Sequence, residues 1–193
     1  HVQDMEQALI LLQKEFPRSK TVLVGHSSGA HMLSLALMNG FQHNPQVNIS
    51  ALVCLAGLYD ISNHYKFEMT RGVERFSPVA VAYGGSYQAW KSVSPTRILQ
   101  ARPHQNAAAK WIAAKGRAPT MLICHGVEDK VVPCSSSTAF ATAWNEAFED
   151  DHQCELKLLD GIGHQDFALD LMFGGPTRNV VMDWILDQLD NDV

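Results

Sequence analysis

The sequence predicts an α/β fold in which crossover helices connect the strands of a parallel sheet. Short apolar runs rich in β-branched residues alternate along the chain with segments of helical periodicity, a pattern typical of parallel sheets. The chain has 193 residues, of which 46% are hydrophobic and 18% charged. This length and composition suit one globular domain.

The first three predicted elements are a helix, a strand and a second helix. Apolar residues recur at helical spacing from Val2 to Phe16, and Pro17 closes that helix. Thr21–Val24 is short, apolar and β-branched, which predicts a buried strand. Ser28–Met38 then shows a helical pattern that Asn39-Gly40 ends.

Three further strands and two helices follow. The apolar runs Ile49–Ala56, Thr120–Cys124 and Glu155–Leu159 predict strands, which makes a sheet of four. Ser135–Phe148 is a predicted helix whose serine cluster can cap it. A last helix begins near Pro176 and ends at the acidic tail.

The connection between the second and third strands is unusually long. A plain crossover needs about a dozen residues, whereas this one covers residues 61–118 and is rich in Tyr and Trp. We expect residues 61–118 to form a helical, lid-like insertion within a single domain that covers residues 1–193.

Several functional classes are disfavoured by composition. The net charge is −5 with no basic stripe, which argues against nucleic-acid binding. No apolar run approaches the roughly 20 residues of a membrane span. Cys54, Cys124, Cys134 and Cys154 lie far apart without a Cys-x-x-Cys pair, so we expect free thiols, a reducing compartment and an intracellular, cytoplasmic location. No metal-ligand spacing or phosphate loop is present, and we expect no cofactor or metal.

The strongest motif is Gly25-His26-Ser27-Ser28-Gly29, a Gly-x-Ser-x-Gly. It follows a predicted strand at once and opens a helix, the context of a nucleophile elbow, in which the serine hydroxyl projects above the sheet. Glycines on both sides are expected where the strand and the helix cross closely. The structural alternative is a tight turn with a capping serine.

An activated serine needs a base and an acid that orients the base. Asp129 follows the third strand, and His164 follows the fourth strand in a glycine-flanked loop. The carboxyl ends of parallel strands share one edge of the sheet, so Ser27, Asp129 and His164 are expected to meet there as catalytic residues. Asp60, after the second strand, is an alternative acid, although a residue there more often caps the next helix.

Other polar residues near these motifs receive supporting or structural interpretations. We expect Glu128 to face solvent and Asp166 to serve in a turn or a cap. His26 and His125 are expected to support or line the site, and His31 to be a packing residue.

These motifs resemble those of the α/β-hydrolase superfamily, within it the carboxylesterase group that contains isoprenylcysteine methylesterases and kynurenine formamidases. The resemblance extends over nearly the whole chain, with further blocks at 55–60, 71–78, 125–129 and 163–166. It implies a serine hydrolase that cleaves a small-molecule ester or amide without a cofactor, with the backbone N–H of Ser28 as an oxyanion donor. Two alternatives remain open, an aryl formamidase and a catalytically silent subunit of an oligomer or larger assembly.

The sequence departs from the superfamily pattern upstream of the elbow. Members of the family carry about eight strands and a His-Gly-Gly loop, and neither the early strands nor that loop occurs before Ser27. We therefore expect this chain to be the C-terminal part of a longer protein.

Overall fold

A computed structural model describes residues 1–41, 47–101, 107–116, 118–148 and 154–190. Its strands form one parallel sheet in the order β1-β2-β3-β4, which confirms the predicted α/β class. The strands are β1 (Val22–His26), β2 (Ala51–Leu55), β3 (Thr120–Gly126) and β4 (Cys154–Leu159).

Helices connect these strands and cover the sheet. The α-helices are α1 (Val2–Glu15), α2 (Ser28–Met38), α3 (Ile61–Thr70), α4 (Pro78–Ala82), α5 (Tyr87–Ser92), α6 (Pro95–Ala101), α7 (Ala107–Lys115), α8 (Ser135–Ala147), α9 (Asp166–Phe173) and α10 (Pro176–Asp190), and a 3₁₀ turn covers Glu74–Phe76. No helix among the described residues is long and apolar enough to cross a membrane.

The two central strands are the most buried part of the sheet. Every residue of β2 is buried, whereas Val24 on β1 is 47% exposed. β3 continues two residues beyond the predicted end at Cys124, because His125 and Gly126 pair with β4. This extension brings His125 to the carboxyl edge of the sheet.

Each face of the sheet has its own apolar core. On one face Leu52 and Ile123 pack in a cluster that includes Leu37 of α2 and Phe140 of α8. The other face packs in a cluster with α9 and α10, whose members include Val53, Leu122, Phe167, Val181 and Trp184. Alternate residues along a strand point to opposite faces, which explains the division.

The serine cap predicted for α8 is wrong. The N-cap residue is Cys134, and no side chain makes a capping hydrogen bond there. The hydroxyls of the first turn are engaged elsewhere, since Ser136 Oγ accepts the N–H of Tyr59 at 3.1 Å. Ser137 Oγ lies 2.6 Å from His125 Nδ1. These hydroxyls instead join α8 to the loop after β2 and to the end of β3.

Residues 61–118 contain α3 to α7 within their described parts. Thr96 N–H donates to Tyr59 O at 3.1 Å, which ties this segment to the loop after β2, and Ile61 N–H donates to Ser94 Oγ at 2.9 Å within the segment. Helices occupy most of its described parts, and the predicted lid-like insertion stays a prediction.

Candidate active site

The turn between β1 and α2 places Ser27 in a strained conformation. Ser27 is the single residue between the two elements, with φ 55° and ψ −114°. A positive φ is costly for a residue with a Cβ and is often found at functional turns. Ser27 N–H donates to Leu55 O of β2 at 2.8 Å, which anchors the turn. This is the strand–turn–helix geometry of a nucleophile elbow.

The two glycines of the elbow differ in their packing. A Cβ on Gly25 would lie 2.6 Å from the backbone carbon of Gly29, so the crossing of β1 and α2 requires glycine at position 25. A Cβ on Gly29 would have no neighbour within 4 Å. The expectation that both glycines prevent a clash is therefore wrong for Gly29, because that position faces open space.

His164 lies between Ser27 and Asp129. Its Nε2 is 3.0 Å from Ser27 Oγ, and its Nδ1 is 2.6 Å from Asp129 Oδ2. A carboxylate oxygen only accepts, so Nδ1 bears the proton. The Nε2 lone pair is then available to the Ser27 hydroxyl. The structure thus brings the three sequence-predicted residues together in the order serine, histidine, aspartate.

Asp129 accepts hydrogen bonds on both carboxylate oxygens. Its Oδ1 accepts the N–H groups of Val131 at 2.8 Å and Val132 at 2.9 Å, while Oδ2 faces His164 and His125. Burial raises the pKa of Asp129, but the hydrogen bonds from the two histidines and the two backbone groups outweigh burial. The pKa of Asp129 therefore lies well below its usual range, and the carboxylate stays charged at neutral pH.

Asp60, the alternative acid, is occupied by structural contacts. Its Oδ1 accepts the N–H of Asn63 at 3.1 Å and so caps α3. Its Oδ2 lies 2.7 Å from Arg97 Nε in an ion pair. These contacts agree with the helix-capping interpretation of this position.

The remaining polar residues of the motifs have mainly structural contacts. Asp166 Oδ2 accepts the N–H of Gly163 at 2.7 Å, which holds the loop that carries His164. His31 is buried and donates from Nδ1 to Leu58 O at 2.7 Å, and burial lowers its pKa. Glu128 is exposed.

His26 contacts the backbone of the loop that carries His164. Its Nε2–H donates to the backbone carbonyl of His164 at 2.7 Å, and the two rings lie 4.9 Å apart. Burial lowers the pKa of His26, and its bond to that carbonyl partly opposes this shift. Since a neutral imidazole suffices for this bond, His26 positions the His164 loop without adding a positive charge.

Ser28 is the first residue of α2. The first N–H groups of a helix have no partner within the helix and point outward from its N-terminus. The backbone N–H of Ser28 is thus placed next to Ser27, where it can donate to an oxygen that gains negative charge.

A cavity of about 180 Å³ lies at the same edge of the sheet. Its walls come from α3 after β2 and from the start of α8 after β3, and the lining residues are Asp60, Asn63, His64, Phe67, Pro133, Ser135, Ser136 and Ala139.

His64, at this cavity, has no counterpart among the sequence-predicted site residues. Its Nε2 lies 3.4 Å from Glu68 Oε1, and both side chains are buried. Burial lowers the pKa of His64, and Glu68 opposes that shift; smaller effects come from His164, which lowers the pKa, and from Asp129, which raises it. Nothing in the local sequence marks His64, because it lies on a helix of the long connection.

No group of three or more His, Cys, Asp or Glu among the described residues is arranged to hold a metal ion. The histidines and aspartates at this edge bond to one another, to backbone groups and to Ser27, which suits proton transfer between side chains.

Comparisons with known proteins give the same architecture. The model of the BD-FAE family matches residues 1–144, and comparison with curated proteins finds no match. A truncated carbohydrate esterase from gut microbiota superposes with a TM-score of 0.67 at 19% identity, and the match covers 97% of this chain and 67% of that one.

Two further solved structures belong to larger proteins. Pyrococcus horikoshii acylaminoacyl peptidase superposes with a TM-score of 0.62 at 15% identity, over 91% of this chain and 24% of the peptidase. Thermogutta terrifontis esterase 2, phosphoramylated by tabun, gives a TM-score of 0.55 at 21% identity, over 86% of this chain and 55% of the esterase. The chain thus spans about a quarter of the length of the peptidase. At these identities the likeness concerns the fold alone.

Proposed function

The chain belongs to the BD-FAE family, an α/β-hydrolase-type esterase domain, and from this premise we propose that it is a serine hydrolase that cleaves carboxylic esters or related acyl bonds. The observation that carries the proposal is the continuous hydrogen-bonded series from Ser27 through His164 to Asp129, with distances of 3.0 Å and 2.6 Å. The family match ends before His164, so the base is assigned from this geometry.

The proposed reaction begins with proton transfer from Ser27 Oγ to His164 Nε2 as Oγ attacks the substrate carbonyl carbon. The charged Asp129 stabilises the imidazolium that forms, and the N–H of Ser28 donates to the carbonyl oxygen as it becomes negative. His164 then gives its proton to the leaving alcohol or amine, and the acyl group remains on Ser27. Water, deprotonated by His164, hydrolyses that acyl-enzyme and restores the serine.

The nature of the bond that is cleaved is a finer proposal, and we favour an ester. The family match is to an esterase domain, and two of the superposed structures are esterases. The similarity to an acylaminoacyl peptidase makes an acyl amide the alternative to test. An ester and an anilide of the same acyl group, assayed side by side with the intact protein, separate the two bond types.

A fluorophosphonate probe tests the assignment of the nucleophile. Such a probe phosphonylates only an activated serine, and we expect the intact protein to be labelled at Ser27. Ser27→Ala removes the nucleophile and should abolish both labelling and ester hydrolysis. Ser28→Ala is the matched control, because it keeps the backbone N–H and should retain both. An unlabelled wild-type protein would refute the proposal and favour a structural or binding subunit.

A further inference from the structure

A second histidine shares the carboxylate oxygen that faces the proposed base. His125 Nε2 lies 3.1 Å from Asp129 Oδ2, the oxygen that also accepts from His164 Nδ1. The same Nε2 lies 3.0 Å from the carbonyl oxygen of Val132. His125 and the side chain of Asp129 are fully buried, so these contacts exclude water.

The contacts of His125 define the direction of each hydrogen bond. Its Nε2 faces a carboxylate and a carbonyl, which only accept, so Nε2 bears a proton. Its Nδ1 lies 2.6 Å from the hydroxyl of Ser137, which is fully buried on α8. In the neutral imidazole Nδ1 is an acceptor, and the Ser137 hydroxyl donates to it. Asp129 and the carbonyl of Val132 thus fix the tautomer of His125, and the hydroxyl of α8 supports it.

Asp129 has its full complement of partners as a result. A carboxylate offers about four lone-pair positions, and these take two backbone N–H groups on Oδ1 and two imidazole N–H groups on Oδ2. Rotation of the carboxylate would break at least two of these bonds in a buried site, where an unmade bond to a charged group is costly. His125 therefore leaves Asp129 a single orientation, the one that faces His164.

We propose that His125 is a positioning residue of this site, which holds Asp129 toward His164 and moderates the pull of the carboxylate on the base. The inference rests on the proposed function for its catalytic consequence, but its electrostatic consequence is independent of turnover. A donor on Oδ2 withdraws part of the negative charge that would otherwise stabilise the His164 imidazolium. Loss of that donor should therefore strengthen the stabilisation of protonated His164 by Asp129.

Other groups also act on His164, and the test must hold them constant. Asp129 contacts Nδ1, His26 lies with its ring 4.9 Å away, and His64 of α3 interacts with it electrostatically. None of these residues changes in the variants below, so a difference in the His164 titration reports on His125.

Two substitutions at His125 distinguish the effect of its hydrogen-bond donor from the effect of its side-chain volume. His125→Phe keeps a ring but removes the donor, whereas His125→Gln places an amide N–H₂ near the position of Nε2. We expect His125→Phe to move the acidic limb of the kcat/KM profile for an activated ester to higher pH, and so to lower kcat/KM at pH 7 about 10-fold. His125→Gln should restore most of both properties.

The measurements are an NMR titration of labelled histidines and the pH profile of kcat/KM. The chain has nine histidines, and a His164→Gln variant assigns the resonance. The proposal is overturned if His164 titrates identically in the wild type and in His125→Phe. It is also overturned if His125→Gln restores neither the His164 titration nor kcat/KM relative to His125→Phe. Should both variants unfold in a thermal melt, Ser137→Ala decides. It removes the hydroxyl that donates to His125 Nδ1 and so weakens the hold on the His125 ring, and the titration should shift in the same direction by a smaller amount. An unchanged titration there would equally refute the role.

Failure of the proposed function can be distinguished from failure of this inference. A wild-type protein that neither reacts with a fluorophosphonate nor hydrolyses esters contradicts the function, while the His164 titration still decides the role of His125. Conversely, if the enzyme is active but the His164 titration is the same in the wild type and in the His125 variants, only the positioning role is contradicted.

Discussion

Replacing Gly25 with alanine would place a methyl group where the backbone of α2 already lies. The new Cβ would be 2.6 Å from the carbon of Gly29, 2.7 Å from the nitrogen of Ala30 and 2.8 Å from the oxygen of Gly29. All three atoms belong to backbone, so no side chain can rotate away and the helix must move from the strand. Overpacking of this kind costs about 1–3 kcal/mol, which lowers the melting temperature by about 2–12 °C for a domain of this size.

Gly29→Ala is the matched control within the same motif. No atom lies within 4 Å of a Cβ there, and alanine is favoured over glycine within a helix by about 0.5–1 kcal/mol. We expect this variant to melt at or slightly above the wild-type temperature. Gly25→Ala should also lose ester hydrolysis, since the shift of α2 carries Ser27 away from His164. Denaturant unfolding and an activated-ester assay measure both effects. A stable, active Gly25→Ala beside an unstable Gly29→Ala would refute the reasoning.

Further predictions concern the acid, its titration and the thiols. Asp129→Asn should lower kcat about 10⁴-fold by disturbing the tautomer of the base. Asp60→Asn should leave kcat nearly unchanged and lower stability mainly by breaking the ion pair with Arg97, because asparagine caps a helix about as well as aspartate. Steady-state kinetics and thermal melts check both variants. The pKa of Asp129 is depressed in the folded state, so its contribution to stability is present above the unfolded value of about 3.9 and is lost as the pH falls below it. Between pH 7 and pH 2 the free energy of unfolding should therefore fall less for Asp129→Asn than for the wild type. An equal pH dependence in the two proteins would contradict this. Burial raises the pKa of Cys54 to about 11 and of Cys124 to about 12. A disulfide reagent at pH 8 should therefore modify the half-exposed Cys134 before these two thiols. Modification of all three thiols at the same rate in the native protein would contradict their burial.

Much of the fold could be predicted because its signals are local. Apolar runs and helical spacing lie within single elements, and the carboxyl ends of parallel strands share one edge whatever the rest of the chain does. Ser27, Asp129 and His164 each follow a strand, so their convergence could be expected without any knowledge of side-chain packing.

The partners of these residues could not be predicted, because they depend on packing between elements distant in sequence. Ser137 looks like a helix-capping serine until β3 and α8 come together and bring His125 within 2.6 Å of its hydroxyl. Gly29 likewise looks like a packing glycine, and only the angle at which α2 leaves the elbow shows the open space beside it.

The order of strands in the sheet, β1-β2-β3-β4, is also their order along the chain. Each strand can therefore add to the edge left by the strand before it in the chain, without waiting for a later strand to be inserted between them. Ser27 arrives with β1 and Asp129 after β3, but His164 follows β4. A nascent chain thus carries the elbow and the acid for many residues of synthesis while it lacks a base. Under the proposed function, Ser27 is activated only once the loop after β4 has placed His164 beside it, so acylation of Ser27 is expected to report that this loop has docked.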